Sequence, residues 1–311
     1  MKKHLYLFTT LLIAATLFTA CSKDDDSVAP QPTPSTGSLA SPNLDMPAPK
    51  GGSSIIVTHT AKLNKNLAVV GVNYSVEWDT EKHSQRWSCY KMYSTVNGKL
   101  VDRYKRDDKS LNPSGQYPND PDLPAAYRFT SDPYWGTGYD HGHICPSNDR
   151  VSSDPINYQT FFMTNMQPQY GDKKGNFNAG VWANLENQVN QWKVKFDTLY
   201  VCKGGTIDNE ANIIEYLGSG QNKIPVPKYF FMAVLGRNGD KFQATGFWIN
   251  QQEYVKSSAS DKNSRKKYAV TIKEIQDYTG IDFFHNLPDD IENAVENVSK
   301  AQMYQEWTWV N

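Results

Sequence analysis

The stretch GYDHGHICPSNDR, residues 138–150, carries two of the six histidines in the chain, separated by one glycine and preceded by an acid. In an extended segment alternate side chains share a face, so His141 and His143 should point one way and Asp140 the other. Two histidines on one face can ligate a metal ion, but an imidazole-rich site needs a third protein ligand, and neither H-E-x-x-H nor H-x-x-E-H occurs. A histidine is also a general base, since its ordinary pKa of about 6.5 lets it take a proton near neutral pH.

A second polar group lies about 40 residues further along, in NFNAGVWANLENQVNQW. Apolar residues recur there at spacings of four, four and three, which predicts a helix beginning near Asn178: Val181, Leu185, Val189 and Trp192. In a regular helix Glu186 stands about 12 Å along the axis from Asn178 and on a neighbouring face, so one ion reaches both only through water. An amide oxygen, a carboxylate and several waters suit Mg²⁺. Taken singly, each residue more often has an ordinary structural role, Asn178 as a helix cap and Glu186 as a solvated helix residue.

The elements that must position these residues are mostly strands. Segments rich in β-branched and aromatic residues predict strands at SIIVTHT, LAVVGVNYSVEWD, RWSCYKMYSTV, TFFMTNMQPQ (ending at Pro168), DTLYVCKGG, PKYFFMAVLG and FQATGFWIN. A short helical pair is predicted at TIKEIQDYTG, stopped by Gly280, and at PDDIENAVENV. Because strands and helices do not alternate regularly, the fold class is α+β, with a central, largely antiparallel sheet flanked by helices.

The first residues predict export. MKKHLYLFTTLLIAATLFTAC has a basic start, an apolar run too short to span a bilayer comfortably, and a cysteine, and its end resembles the lipobox of bacterial lipoproteins. Residues 1–20 are then a signal peptide, and a lipid on Cys21 would anchor the chain in the outer membrane, facing the cell surface. Residues 21–52 are rich in Pro, Ser, Gly and Asp and predict a flexible tether. Residues 53–311 remain for one large domain.

Charge and cysteines restrict the function classes. The formal net charge is −1, and it becomes −3 when removal of the signal peptide takes away Lys2 and Lys3. A protein that holds nucleic acid tightly is usually basic over a whole face, so any phosphate recognition here has to be local. Cys89, Cys145 and Cys202 remain after Cys21, and an oxidising compartment permits one disulfide among them, with the pairing open.

Several motifs together resemble one enzyme family. YDHGHICPSNDR, followed by TNMQPQ and NFNAGVWANLENQV, is similar to the DNA/RNA non-specific endonucleases, the sugar-non-specific ββα-metal nucleases. Their hallmark is Asp-Arg-Gly-His, followed by Asn-x-Gly-x-Trp-x-x-Leu-Glu. The resemblance covers most of residues 70 to 295, and it implies a ββα-metal nuclease fold and metal-dependent hydrolysis of phosphodiester bonds in DNA and RNA.

The resemblance also implies roles for individual residues. His143 matches the general base that activates the attacking water, and Asn178 matches the single protein ligand of a divalent ion, Mg²⁺ or alternatively Mn²⁺. Glu186 matches the glutamate that holds metal-bound water, and Asp140 the leading acid of the hallmark. An upstream arginine contacts the phosphate in the family. Here DRYKRDD offers Arg103 and Arg106, of which we favour Arg106.

One hallmark position departs from the family pattern, because His141 stands where the family has arginine. A histidine is shorter than arginine and only partly charged at pH 7, so it offers one hydrogen bond where a guanidinium offers two. Cleavage would then be weaker, shifted to lower pH, or lost, unless His141 is only a tolerated strand residue.

Two classes of function stay open on the sequence alone. The first is a lipid-anchored endonuclease acting on DNA and RNA. The second is an attenuated surface lipoprotein that binds nucleic acid or another polyanion. His143, Asn178 and Glu186 favour the enzyme, because a binding module needs no base beside a metal ligand. A glycan-binding lipoprotein is a third, weaker hypothesis. No protein partner is indicated.

Overall fold

A seven-stranded sheet forms the centre of the part of the chain that this computed structural model describes, residues 43–93, 99–105, 116–252 and 263–309. Every neighbouring pair in the sheet is antiparallel, which confirms the predicted α+β class. In pairing order its strands are β1 (Ser54–Asn64), β2 (Leu67–Asp79), β3 (Ser84–Tyr93), β6 (Thr198–Gly205), β9 (Tyr229–Asn238), β10 (Lys241–Asn250) and β11 (Ala269–Val270).

The described residues also form two smaller sheets and six α-helices. The small sheets pair β4 (Tyr139–His143) with β5 (Met166–Tyr170), and β7 (Ile213–Leu217) with β8 (Ile224–Pro227). The helices are α1 (Asp154–Gln159), α2 (Ala183–Trp192), α3 (Asn263–Lys266), α4 (Ile272–Thr279), α5 (Asp289–Glu296) and α6 (Lys300–Glu306). Among the described helices, none is long and apolar enough to cross a bilayer.

The large sheet is covered on both faces, and β6 shows how its sequence achieves this. Leu199 and Val201 pack on one side with Trp182 and the apolar residues of α2. Tyr200 and Cys202, the alternate residues, pack on the other side with α4 and α5. Successive side chains of a strand point to opposite faces, so a continuous apolar run suits a strand buried on both sides.

Local signals set the ends of the helices near the C-terminus. The Thr271 side chain accepts a hydrogen bond from the Glu274 backbone N–H, and the Glu274 side chain accepts one from the Thr271 N–H. This capping box starts α4, and Gly280 ends it in the left-handed conformation at φ 67°. The predicted helical pair is therefore confirmed.

The segment TFFMTNMQPQ differs from its prediction. Only Met166–Tyr170 is a strand, Pro168 lies inside it rather than at its end, and Thr160–Asn165 forms turns. Within the described residues β5 pairs with β4 alone, with Pro168 opposite His141. A proline is tolerated there because an edge strand does not need every N–H for pairing.

The folded part begins before the predicted boundary at Ser53. The last residues of the predicted tether, from Asn43, pack against the domain, and Leu44 is 1% exposed in the core beside α4 and α5. Backbone contacts hold the segment, since Ala48 N–H donates to the Asp282 carbonyl. Buried residues, Leu44 among them, and backbone hydrogen bonds therefore hold a stretch whose composition predicted a tether. Residues 1–42, including Cys21, lie outside the described residues.

The three cysteines of the domain are buried free thiols: Cys89, Cys145 and Cys202. Cys89 and Cys202 are opposite one another on β3 and β6, on the face covered by α4 and α5. The disulfide that the sequence permitted is therefore not formed among these three residues.

Candidate active site

The predicted site residues meet in one cavity of about 390 Å³. Strand β4 contributes its histidines and acid, and the start of helix α2 contributes the amide and carboxylate. The polar and charged residues that line it include Arg103, Tyr117, Asp140, His141, His143, Asn148, Asn178 and Glu186. Arg106 lies outside the described residues.

His143 lines this cavity, and one of its ring nitrogens is buried without a partner. Its Nε2 is inaccessible to solvent and has no hydrogen-bond partner, while the ring stands edge-on to Phe161 at 4.8 Å between centroids. Burial lowers the pKa of His143 well below its ordinary value, and the positive charge of Arg103 adds to the effect. The imidazole is therefore neutral at pH 7, which is the state that accepts a proton.

Asn178 and Asp140 form a connected pair. The Asn178 amide nitrogen donates to Asp140 Oδ2 at 2.9 Å. The amide oxygen is then the atom of Asn178 that remains for a ligand. Alternation along β4 predicted that Asp140 would face away from the histidines, but Asp140 lines the same cavity. Strict alternation therefore does not decide which side chains of this short strand reach the site.

Asn178 and Glu186 line the same cavity, and a widened turn lies between them in the chain. Residues Asn178–Trp182 form a π-helical turn, and Gly180 within it has non-helical φ/ψ of −96° and −105°. The regular-helix arithmetic that set the two residues on neighbouring faces does not apply across this turn, and both line the cavity. Trp182 secures the turn, because its Nε1 donates to the His143 carbonyl at 3.3 Å.

Glu186 has a partner that the motifs did not single out. Lys203, on β6, places its Nζ 2.8 Å from Glu186 Oε1, with the lysine side chain 1% and the glutamate 19% exposed. Burial raises the pKa of Glu186, and Lys203 opposes that rise. The signal was present in DTLYVCKGG, where a lysine interrupts a buried strand.

His141 is held between two aromatic rings rather than left open. It stacks on Tyr117 at 3.9 Å and on Tyr134 at 4.2 Å between centroids. Its Nε2 lies 3.0 and 3.1 Å from the two carboxylate oxygens of Asp132. A carboxylate only accepts, so Nε2 carries the hydrogen and Nδ1 remains for other contacts. No sequence motif indicated Asp132, because its link to His141 depends on the fold of residues 116–138.

The backbone around the two histidines is fixed by tight packing. A Cβ on Gly142 would come within 2.3 Å of the Gln169 side chain, so only glycine fits between His141 and His143. Behind His143, Asn165 clamps the next loop: its Nδ2 donates to the Cys145 and Thr160 carbonyls, and its Oδ1 accepts from Cys145 N–H. The TNMQPQ segment thus positions the site without entering it.

The fold matches a solved nuclease. A chain of the solved EndoG/EndoGI complex matches with a TM-score of 0.55 at 20% identity, over 69% of this chain and 84% of that one. The strand pair β4–β5, helix α2 and the cavity between them therefore define a ββα-metal nuclease fold.

Sequence comparisons identify the family. Residues 53–290 match the family model described as DNA/RNA non-specific endonuclease, so the chain belongs to this family and is an endonuclease. It is 29% identical to Nuclease C1 of Cunninghamella echinulata var. echinulata over 191 residues, 60% of this chain and 73% of that protein. It is 28% identical to a nuclease of Nostoc sp. over 247 residues, 77% of this chain and 81% of that protein.

The cavity suits the divalent metal ion on which this family depends. It offers the amide oxygen of Asn178 beside the carboxylates of Asp140 and Glu186. Oxygen donors of this kind suit a hard ion, and the small number of direct ligands suits one that keeps most of its water. Among the described residues, the tight sets of three or more His, Cys, Asp or Glu lie elsewhere: His59, Asp120 and Asp122, and Asp282, Glu292 and Glu296.

Proposed function

We propose that this chain hydrolyses phosphodiester bonds of DNA and RNA with His143 as the general base. The observation that carries the proposal is the buried, unpartnered Nε2 of His143, in the same cavity as Asn178, Asp140 and Glu186. A neutral imidazole with a free nitrogen takes the proton of a water that attacks phosphorus.

The amide oxygen of Asn178 would hold a Mg²⁺ ion, which would supply charge neutralisation for the phosphate. Asp140 orients the Asn178 amide so that its oxygen faces the cavity. Glu186, whose Oε1 is engaged by Lys203, is the carboxylate that we assign to hold water in the cavity. Each of the four side chains therefore has its own role. His143 accepts the proton and Asn178 is the metal ligand. Asp140 orients that ligand, and Glu186 holds water.

Arg103 is the arginine that we assign to the phosphate. It lines the cavity, and its guanidinium lies 4.8 Å from the Phe161 ring that also borders His143. A guanidinium there offers a planar fork of donors to a phosphate beside the base. Arg106, favoured from the sequence, remains a prediction.

A locally positive rim reconciles the acidic chain with a polyanionic substrate. Lys174 of the GDKKG segment places its ammonium 4.4 Å from the ring of Tyr139, which lines the cavity. Transient cleavage needs attraction at the cavity and not over a whole face, so a net charge of −3 after processing does not oppose it.

We propose that the chain is exported as a lipoprotein, anchored through Cys21 in the outer membrane at the cell surface. The support is the sequence of residues 1–26. Metabolic labelling with a fatty acid in the source bacterium tests this: the wild type should incorporate label, and Cys21→Ser should not. Labelled Cys21→Ser would contradict the assignment.

Cleavage of supercoiled plasmid and of a structured RNA by residues 22–311 tests the activity. We expect nicking with Mg²⁺ or Mn²⁺, none with EDTA, and none with His143→Ala at either metal. His285→Ala is the matched control, because His285 is half-buried and does not line the cavity. No cleavage by a folded parent protein that still retains DNA on a filter would favour the polyanion-binding alternative.

A further inference from the structure

Lys203 is buried where packing alone would place an apolar residue. Leu199 and Val201, the two preceding residues on the same face of β6, are both fully buried in the core under α2. The Lys203 side chain is only 1% exposed. Replacing a buried ion pair by apolar residues of similar volume is often neutral or stabilising, so stability does not explain a cation here.

The ammonium of Lys203 contacts the segment that carries the metal-facing residues. Besides its bond to Glu186 Oε1, Nζ lies 5.0 Å from the ring of Trp182 and 5.7 Å from that of Tyr90. Trp182 ends the π-helical turn that begins with Asn178, and Glu186 follows one turn later in α2. Lys203 therefore touches this segment from the central sheet, below the floor of the cavity.

This contact decides what Glu186 can offer to the cavity. A carboxylate accepts hydrogen bonds from water through both oxygens, whereas a protonated carboxyl has one oxygen that donates. Burial raises the pKa of Glu186, and the charge and hydrogen bond of Lys203 are the largest effects that oppose it. Lys203 engages Oε1 and Trp182 also hydrogen-bonds the Glu186 side chain, so the carboxylate is held in one orientation at the cavity.

We propose that Lys203 is a positioning residue for the hydrated metal ion, acting by fixing the Glu186 carboxylate that receives the ion's water. The inference rests on the proposed function of the cavity. It adds a residue from a distant strand, 17 positions beyond Glu186, to a site otherwise built by β4 and the start of α2.

Mn²⁺ binding measured by electron paramagnetic resonance tests this without relying on cleavage. The His143→Ala protein, stripped of metal, serves as the background, and Lys203→Met, Glu186→Gln and the double variant are compared in it. We expect Lys203→Met to weaken Mn²⁺ binding about tenfold to hundredfold, as outer partners of metal sites do. In the Glu186→Gln background the same change should have little further effect, because Glu186 carries the influence.

Lys91→Met is the matched control. Lys91 is a partly buried lysine on β3 whose ammonium lies 3.7 Å from Asp45 and does not line the cavity, so Mn²⁺ binding should be unchanged. If Lys203→Met does not fold, Lys203→Gln, which keeps a hydrogen-bond donor without the charge, replaces it.

Two results would overturn the inference. One is wild-type Mn²⁺ affinity in folded Lys203→Met, and the other is an equal loss with and without Glu186, which would mark general damage to packing. Failure of the proposed function itself would give a result distinct from these two, because the parent protein would then bind no Mn²⁺ and cleave no plasmid. That result would remove both proposals.

Discussion

Replacing Asp140 by alanine tests how the metal ligand is oriented. Asp140 Oδ2 accepts the Asn178 amide hydrogen at 2.9 Å, and this bond turns the amide oxygen towards the cavity. Without it the amide is free to rotate and to offer its nitrogen, which cannot bind a cation. We therefore expect Asp140→Ala to raise the Mg²⁺ concentration needed for half-maximal cleavage.

The size of the effect follows from the kind of bond. A hydrogen bond to a charged group contributes about 1.5–3 kcal/mol, and about 1.4 kcal/mol corresponds to a tenfold change in affinity. Asp140→Ala should thus cost roughly tenfold to hundredfold in metal affinity. Asp140→Asn keeps an accepting oxygen, and neutral hydrogen bonds are about half as strong, so we expect a loss of only about three- to tenfold.

Cleavage of a fluorescent oligonucleotide across a Mg²⁺ series measures the half-saturating concentration for both variants and the parent, with melting curves as the check on folding. An unchanged half-saturating concentration in a folded Asp140→Ala protein would refute the orienting role. Equal losses in the alanine and asparagine variants would refute the hydrogen-bond argument, since the carboxylate charge would then be the whole effect.

Three further predictions concern β4 and its surroundings. His141→Arg should keep or raise the cleavage rate, because Asp132 and the two tyrosine rings that hold His141 also suit a guanidinium. A large loss of rate in a folded His141→Arg protein would contradict this. Asp132→Ala should lower the cleavage rate. Gly142→Ala should reduce the free energy of unfolding by about 1–3 kcal/mol, because the new Cβ would meet the Gln169 side chain. Urea denaturation measures this free energy, and an unchanged value would contradict the prediction. The pKa of His143 is lowered in the folded chain, so the unfolded chain binds a proton on this ring before the folded chain does as pH falls below about 6.5. Acidification therefore favours unfolding through His143. In EDTA, His143→Gln should therefore lose less melting temperature than the parent between pH 7 and 5; parallel curves would show that His143 does not titrate this way.

The sequence by itself indicated the family, because several short motifs in one order resemble it. That resemblance implied a base and a metal ligand among Asp140, His143, Asn178 and Glu186, and the roles of these residues stay predictions. The helices and strands were predictable because their signals also lie within short segments of the sequence. The segment at 67–79, rich in β-branched and aromatic residues, is strand β2 over its full length, and α4 carries its start and stop signals in its own residues.

What only the tertiary structure decided are the pairings between segments far apart in the chain. The contact of Lys203 with Glu186, the burial of Leu44, and the place of His141 between Tyr117, Tyr134 and Asp132 all depend on which surfaces pack together. The π-helical turn between Asn178 and Glu186, which the apolar spacing did not reveal, is also visible only in the structure. Periodicity records which face of an element is apolar, but the desolvation that makes a buried lysine or histidine informative arises only when distant elements close over it.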